Sequence, residues 1–420
     1  MDPLFTAQEN FQDLRFGMFI HFGLYSVGEE HEWHMYYHKV THDSYKTNFL
    51  YRFEPDPSGI EQWILTAKDM GAKYLICTSK HHDGFCLWDT KIPHKISPDF
   101  HIRNTPFWGK NQKSILDYLF EAGRKHGIRI GLYYSSIDWS WTQIEKQKDQ
   151  PQYHVLLEED NLELHKHYIN YYQQQVLELI SLYPDILCVW FDGYQFNHPL
   201  YPEGFLEYLD YLSLYQAIKK INPSILVGSN SGSINNENKM GIIDFLLFEN
   251  IANTGELNGA PWPRNSKLPG EVCLSINKTW GYAKNDKNYK NSVDIQELVI
   301  NNSIKNANTL LNFGPKPDGF IVTDQLKIAN NIGNLLLPYS ELLYGTRNIS
   351  IQNWGGIVQN PSTKSIYLFF SHHLNLIEIE KPGNFNMFEW IIGYGEVFTK
   401  TNSTIIISNI KPKSVLKLSL

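Results

Sequence analysis

The chain has 420 residues and a formal net charge of −7, with 42% hydrophobic and 19% charged residues. This length suits one large domain with a smaller one beside it. The negative charge and the lack of basic runs argue against binding to nucleic acid or to an anionic membrane. No apolar stretch approaches the roughly 18 residues that span a bilayer, and the first residues carry neither a basic leader nor an apolar signal core. As written, the sequence therefore predicts a cytoplasmic protein.

Aromatic residues make up 14% of the chain, including 25 Tyr and 11 Trp. Flat rings pack well on the C–H faces of sugars, although aromatic enrichment also fits any large core. The four cysteines show no CxxC spacing typical of a metal site. Those within strand-like runs are expected to be small buried hydrophobes.

Eight runs of β-forming residues are predicted as strands, and most precede a stretch with helical spacing. The strands are Phe16–Gly23, Tyr74–Thr78, Ile128–Ser135, Ile186–Asp192, Ile225–Gly228, Ile242–Phe248, Val272–Ile276 and Thr309–Phe313. The helices are Ile60–Met70, Ser114–His126, Glu158–Leu182, Gly204–Ile221, Asp294–Ala307 and Thr323–Tyr339. Alternating strands and helices predict an α/β fold, a (β/α)8-like barrel over residues 1–345.

After Thr346 the pattern changes to short alternating runs separated by turn residues. The runs are Ser365–Phe370, Leu376–Glu380, Phe388–Ile392, Thr404–Ile407 and Val415–Leu420. They predict a small C-terminal antiparallel β-sandwich over residues 346–420, which offers little catalytic chemistry.

The fourth predicted strand ends in the sequence V-W-F-D-G, with Asp192 as its last residue. The alternation of a strand puts Trp190 and Asp192 on the same face. A carboxylate at the end of such a buried strand has no obvious local partner. Asp-Gly is also a common turn pair, so this stretch alone leaves a simple turn as an alternative.

Other predicted strands also end in polar or aromatic residues, and a barrel gathers such residues at the carboxyl ends of its strands. They are His21, His81, His82, Tyr134, Asp192, Glu249 and Trp280. Two acids among them, Asp192 and Glu249, fit the carboxylate pair that glycoside hydrolysis needs. Apolar neighbours favour a protonated Glu249. Taken alone, however, the position of Glu249 favours a helix-start or surface carboxylate.

A histidine-rich loop contains His31, His34, His38 and His42. Its spacing is not H-E-x-x-H, because Glu32 is followed by Trp33 and then His34. With no cysteine nearby, a polar loop or a set of sugar-binding donors is favoured over a metal site. We therefore expect no metal and no cofactor. After the His81-His82 pair, Asp83 is expected to form a turn or to support the site residues from behind, rather than to act as a third catalytic acid.

Several motifs resemble those of the α-L-fucosidases of glycoside hydrolase family 29. They are F-G-M-F-I-H-F-G, E-W at 32–33, Y-L-I-C-T-S-K-H-H-D-G-F-C-L-W-D, G-L-Y-Y-S, V-W-F-D-G, W-G-Y and L-L-N-F-G-P-K-P-D-G. They run in order from Phe16 to about Ile321. The resemblance implies a barrel with a C-terminal β-sandwich, and a retaining enzyme that works without a metal and releases fucose from fucosylated oligosaccharides or glycoconjugates.

The resemblance also implies roles for individual residues. Asp192 becomes the nucleophile and, by counting along D-F-L-L-F-E, Glu249 becomes the acid/base, with Glu256 and Glu237 as alternatives. The expected partners of the fucose hydroxyls are His21, Glu32, Trp33, His81, His82 and Tyr134. Trp190 and Trp280 are expected to pack on the apolar face of the sugar and its C5 methyl group.

One stretch departs from the family pattern. Many members carry N-D-R-W after the fifth strand, whereas this chain reads V-G-S-N-S-G-S, so an arginine that often contacts the nucleophile or the sugar is missing. Two alternatives stay open beside an exo-acting α-L-fucosidase. One is a retaining glycosidase for a related sugar such as α-L-galactose. The other is a non-catalytic fucose-binding protein, against which the presence of Asp192 argues.

Overall fold

The computed structural model describes residues 2–141, 162–193, 202–232, 234, 237–239, 241–249, 268–381, 383, 385, 387–401 and 403–419. Eight parallel strands form its main sheet. They are β1 Phe16–Ile20, β2 Tyr74–Lys80, β3 Arg129–Ser135, β4 Cys188–Asp192, β5 Leu226–Ser229, β6 Leu246–Glu249, β7 Gly270–Ser275 and β8 Ala307–Phe313. Their order in the sheet is β5-β4-β3-β2-β1-β8-β7-β6.

The sheet curls until its two edge strands, β5 and β6, meet. A parallel bridge joins Gly228 to Phe245, and the Asp244 amide donates to the Val227 carbonyl at 2.7 Å. Gly228 is required here, because a Cβ at this position would lie 2.5 Å from the Phe245 ring. This closure confirms the predicted (β/α)8-like barrel and brings β4, β5 and β6 side by side.

Helices surround the barrel. They are α1 Pro3–Leu14, α2 His34–Tyr37, α3 His42–Phe49, α4 Pro57–Asp69, α5 Pro106–Asn111, α6 Ile115–His126, α7 Leu162–Leu182, α8 Phe205–Tyr208, α9 Tyr211–Ile221, α10 Ser292–Ile304, α11 Thr323–Leu336 and α12 Ser340–Leu343. Helix α1 was not predicted, and the single helix predicted over Gly204–Ile221 is wrong. It divides because Asp210 takes a left-handed conformation, with φ of 46°, between α8 and α9.

The barrel interior is filled by side chains and contains one buried acid below the carboxyl ends of the strands. Glu271 accepts a hydrogen bond from the indole nitrogen of Trp190 at 2.9 Å and another from the Tyr74 hydroxyl. Burial raises the pKa of Glu271 to about 7. These contacts fix the orientation of the Trp190 ring, which lies above Glu271.

The C-terminal part consists of two antiparallel sheets. Its strands are β9 Arg347–Gln352, β10 Gly355–Gln359, β11 Ile366–Phe370, β12 Leu374–Glu380, β13 Met387–Ile392, β14 Glu396–Thr401, β15 Thr404–Ile410 and β16 Ser414–Ser419. The sheet orders are β13-β16-β11-β10-β9 and β12-β15-β14. The two sheets share one apolar cluster, which confirms the predicted sandwich; β9, β10 and β14 were not predicted. The division into two domains at residue 345 stays a prediction.

Among the described residues, no helix has both the length and the hydropathy needed to cross a bilayer.

Candidate active site

A cavity opens at the carboxyl ends of the barrel strands. Its walls contain both proposed acids, three histidines and several aromatic rings. The lining residues are Phe19, His21, Trp33, His81, His82, Tyr133, Trp190, Asp192, Asn230, Glu249, Cys273 and Trp280. The structure thus brings together eight of the residues that the sequence singled out, from five different strands and the loops after them.

Asp192 is the last residue of β4, where the register pairs it with Ser135 and pairs Trp190 with Tyr133. Its Oδ2 accepts a hydrogen bond from the Tyr133 hydroxyl at 2.7 Å and lies 3.6 Å from Nε2 of His82. Burial raises the pKa of Asp192, while its hydrogen bonds to Tyr133 and Asn230 oppose that effect. The carboxylate is therefore oriented by neutral donors within the cavity.

Glu249 ends β6 and faces Asp192 across Asn230, which follows β5. The Asn230 amide nitrogen donates to Asp192 Oδ1 at 3.2 Å and to Glu249 Oε2 at 3.0 Å. Burial, followed by repulsion from Asp192, raises the pKa of Glu249 to about 7. Two carboxyl groups in different electrostatic environments thus share one amide donor.

Three histidines also line the cavity. His21 bonds Asn312 through Nδ1 at 2.7 Å, and His82 bonds Ser135 through Nδ1 at 2.6 Å. His81 Nδ1 is buried and has no hydrogen-bond partner among the described residues. Burial lowers the pKa of His21 and His82 to about 3 and that of His81 well below its usual value. At neutral pH these rings are uncharged and can both donate and accept hydrogen bonds.

Aromatic rings close the other sides. The Trp280 ring lies 5.2 Å from that of His21, and Trp33 lies 5.3 Å from His82. Phe19 and Trp190 form the floor, with ring centroids 5.3 Å apart. A cavity that combines neutral hydrogen-bonding groups with flat aromatic rings matches a sugar, which has hydroxyl groups and an apolar C–H face.

A family model described as "Alpha-L-fucosidase" matches residues 5–341. The chain belongs to the α-L-fucosidase family. It is 26% identical over 405 residues to human tissue α-L-fucosidase, covering 89% of this chain and 78% of that protein. It is 24% identical over 394 residues to the α-L-fucosidase of Dictyostelium discoideum, covering 86% and 77%.

Solved structures of fucosidases have the same fold. Isoenzyme 1 from Paenibacillus thiaminolyticus superposes with a TM-score of 0.78 at 25% identity, over 100% of this chain and 99% of that one. The family 29 α-L-fucosidase from Bacteroides thetaiotaomicron gives 0.78 at 22% identity, over 98% and 94%, which concerns the fold alone. This chain is accordingly a glycoside hydrolase, from a family that acts on fucosylated glycans.

Two residues that were expected to contact fucose, Tyr134 and Glu32, are not among the residues that line the cavity. Tyr134 points away from the cavity, and its hydroxyl donates to Gln175 in the surrounding core at 2.7 Å. That expectation is wrong because neighbouring residues of a strand face opposite sides, and Tyr133 takes the inward position. Glu32 does not line the cavity; its Oε2 accepts the Gly281 amide at 2.7 Å and so holds the loop that carries Trp280.

A buried ion pair lies behind His82. Lys80 Nζ contacts Asp138 Oδ2 at 2.7 Å, and both side chains are fully buried. The Tyr134 ring lies 4.5 Å from the ammonium group. Lys80 directly precedes the His81-His82 pair, so the ion pair anchors the end of β2 from which both histidines project. Asp83 forms the expected turn, since its Oδ1 accepts the Phe85 amide at 3.1 Å.

The alternative acids are not part of the described cavity. Glu256 lies outside the described residues. Glu237 begins a short 3-10 helix, Glu237–Lys239, and its side chain lies outside the description. Glu249 is the acid that the described residues bring next to Asp192.

The sequence analysis missed four lining residues: Phe19, Tyr133, Asn230 and Cys273. Strand alternation could have identified Tyr133 and Phe19, because each lies two residues before a polar strand end. The Ser/Asn/Gly-rich loop gave no comparable signal for Asn230, since such residues usually form turns.

Proposed function

We propose that this chain is a retaining, exo-acting α-L-fucosidase in which Asp192 is the nucleophile and Glu249 is the acid/base. The observation that carries the proposal is the shared donor: Asn230 Nδ2 bonds Asp192 Oδ1 at 3.2 Å and Glu249 Oε2 at 3.0 Å. Because both bonds end on one nitrogen, these two carboxylate oxygens lie close together. This arrangement supports the short carboxyl separation of about 5–5.5 Å that retaining enzymes use.

In the first step an Asp192 oxygen attacks the anomeric carbon, while Glu249 gives its proton to the leaving glycosidic oxygen. A fucosyl ester on Asp192 forms and the aglycone departs as an alcohol. In the second step the ionised Glu249 takes a proton from water, whose oxygen attacks the anomeric carbon and releases fucose and the free Asp192 carboxylate. The raised pKa of Glu249, about 7, supports its starting as an acid.

The remaining groups support fucose as the sugar. His21, His81 and His82 line the cavity, are uncharged at neutral pH and suit hydroxyl groups. Trp190 and Trp280 offer apolar surface for the C–H face and the C5 methyl group. A terminal sugar suits a cavity that Phe19 and Trp190 close from below.

The first test follows release of 4-nitrophenol from 4-nitrophenyl α-L-fucoside by wild type and by Asp192→Ala. We expect turnover in wild type and its loss in the variant. Retention is tested by NMR, with the α anomer of fucose as the first product. A wild-type enzyme that binds fucose without turnover, or that releases the β anomer first, refutes the proposal; turnover of the α-L-galactoside with equal efficiency refutes the role of the methyl group.

Glu249 is tested with a series of aryl fucosides whose phenols differ in acidity. Glu249→Gln should slow fucosides with poor leaving groups by the largest factors, because only these need a proton at departure. Activity of the wild type should fall on the alkaline side as Glu249 ionises near pH 7. Equal losses for every leaving group would assign the proton to another acid.

A further inference from the structure

Outside the cavity, one cluster of side chains has the composition of a metal site. Glu30, His34 and His38 present three ligand atoms that all lie within 4.8 Å of one another. His34 Nδ1 is 2.9 Å and His38 Nε2 is 2.7 Å from the same oxygen, Glu30 Oε2. We call these three residues the His/Glu cluster.

Local geometry explains why the three side chains meet. They are spaced by four residues each, and His34 begins helix α2 while His38 directly follows it. Side chains four apart lie on one face of a helix, so the two imidazole rings lie side by side in a tilted arrangement, with centroids 4.7 Å apart. Glu30 lies directly before the loop's first histidine, His31, so the pattern H-E-x-x-H does not include it.

Two imidazole nitrogens and one carboxylate oxygen are a set of ligands that Zn²⁺ and neighbouring first-row metals prefer. In a tetrahedral site with bonds of about 2.0–2.2 Å, ligand atoms lie about 3.3 Å apart. The two contacts between the histidines and Glu30 need to lengthen by well under 1 Å to reach that spacing. Both Glu30 and His38 are 53% exposed, so they are free to adjust and the fourth position is open to water.

The segment that carries the His/Glu cluster also holds two walls of the cavity. Trp33 lies between Glu30 and His34 in the chain and lines the cavity. The backbone of Glu30 pairs with Ala283, and the Lys284 amide donates to the Glu29 carbonyl at 2.8 Å. Residues 29–33 are therefore tied to the loop 280–284 that carries Trp280.

We propose that Glu30, His34 and His38 bind one divalent transition-metal ion of the Zn²⁺ type, which rigidifies the segment carrying Trp33. The ion lies outside the cavity and takes no part in the chemistry of Asp192 and Glu249. The site selects nitrogen-preferring metals over Ca²⁺ and Mg²⁺, because two of its three ligands are imidazoles.

The test is calorimetric titration of untagged, metal-free full chain with Zn²⁺ in a non-chelating buffer. We expect one saturable site that a tenfold excess of Ca²⁺ does not displace. His38→Asn and Glu30→Gln should each weaken binding by about tenfold or more, as loss of a direct ligand exceeds the effect of an outer-shell change. All four cysteines are buried, so thiols do not compete for the ion.

The matched control is Glu163→Gln, which alters an exposed i,i+4 Glu–His pair with only one histidine, His167, at 3.3 Å. It should bind Zn²⁺ like the wild type. The local effect is measured by amide hydrogen exchange, which should slow over residues 30–38 when Zn²⁺ is added to wild type but not to His38→Asn. A wild type without a saturable site, equal affinity in His38→Asn, or unchanged exchange in residues 30–38 overturns the proposal.

Discussion

Replacement of Asn230 by alanine tests how one neutral amide serves two carboxylates. Its nitrogen donates to Asp192 Oδ1 at 3.2 Å and to Glu249 Oε2 at 3.0 Å, and both bonds favour the ionised form of their acceptor. Accordingly, Asn230 lowers the pKa of each acid against the effect of burial. Its removal should raise both pKa values together.

The size of the shift follows from hydrogen-bond energies. A hydrogen bond to a charged group contributes about 1.5–3 kcal/mol, and 1.36 kcal/mol corresponds to one pKa unit. The bond to Asp192 is at the long end of the usual range. Asn230 is also partly exposed, so water replaces part of the lost interaction. We therefore expect each pKa to rise by about 0.5–1 unit.

The assay is the pH dependence of kcat/KM for 4-nitrophenyl α-L-fucoside, measured in stopped samples from pH 4 to 9. The acid limb reports ionisation of Asp192 and the alkaline limb reports loss of the proton from Glu249. Since both pKa values rise, both limbs should move to higher pH. Asn230→Asp has the same shape but is negatively charged, so it should shift both limbs to higher pH by more than Asn230→Ala does. Limbs that stay in place, or that move in opposite directions, refute the shared-donor argument.

Tyr133→Phe removes a hydrogen-bond donor to Asp192 and should shift the acid limb of the pH profile to higher pH. Tyr134→Phe should leave that limb unchanged. It should instead lower the free energy of unfolding by about 1–3 kcal/mol, because it leaves a buried acceptor in the core without a partner. Activity profiles and denaturant unfolding of both variants distinguish the two neighbours; equal profiles contradict the assignment. Lys80→Met leaves the buried Asp138 carboxylate without its cation and should cost about 3–5 kcal/mol of stability. Thermal unfolding measures that loss, and a midpoint within 2 °C of wild type contradicts it.

The barrel could be predicted from the sequence because its signal is local and repeated. Each strand is a short apolar run, and the polar strand ends stand at the position where a barrel collects its site. Asp192 and Trp190 were placed on one face by strand alternation alone, and the β4 register shows both beside inward-facing Tyr133 and Ser135. The same rule, applied to Tyr133 and Tyr134, would have selected the correct tyrosine.

Other features depend on contacts that no local pattern contains. The role of Asn230 exists only because β5 lies between β4 and β6 once the sheet closes, which the bridge from Gly228 to Phe245 brings about. Glu32 could be recognised as important from its motif, yet its bond to Gly281 joins residues 249 positions apart. A sequence identifies functional residues more readily than the hydrogen-bonding partners that determine their roles.

The departure from N-D-R-W after the fifth strand bears on the electrostatics of the described part of the cavity. None of its described lining residues is Lys or Arg, and its histidines are neutral at physiological pH because burial lowers their pKa. When Glu249 is protonated, Asp192 is the one negative charge among the described lining residues, and neutral donors orient it without cancelling it. In the proposed mechanism, such a site favours the positive charge that develops on the sugar in an oxocarbenium-like transition state. It also disfavours sugars with a carboxylate, since like charges in a buried cavity repel strongly.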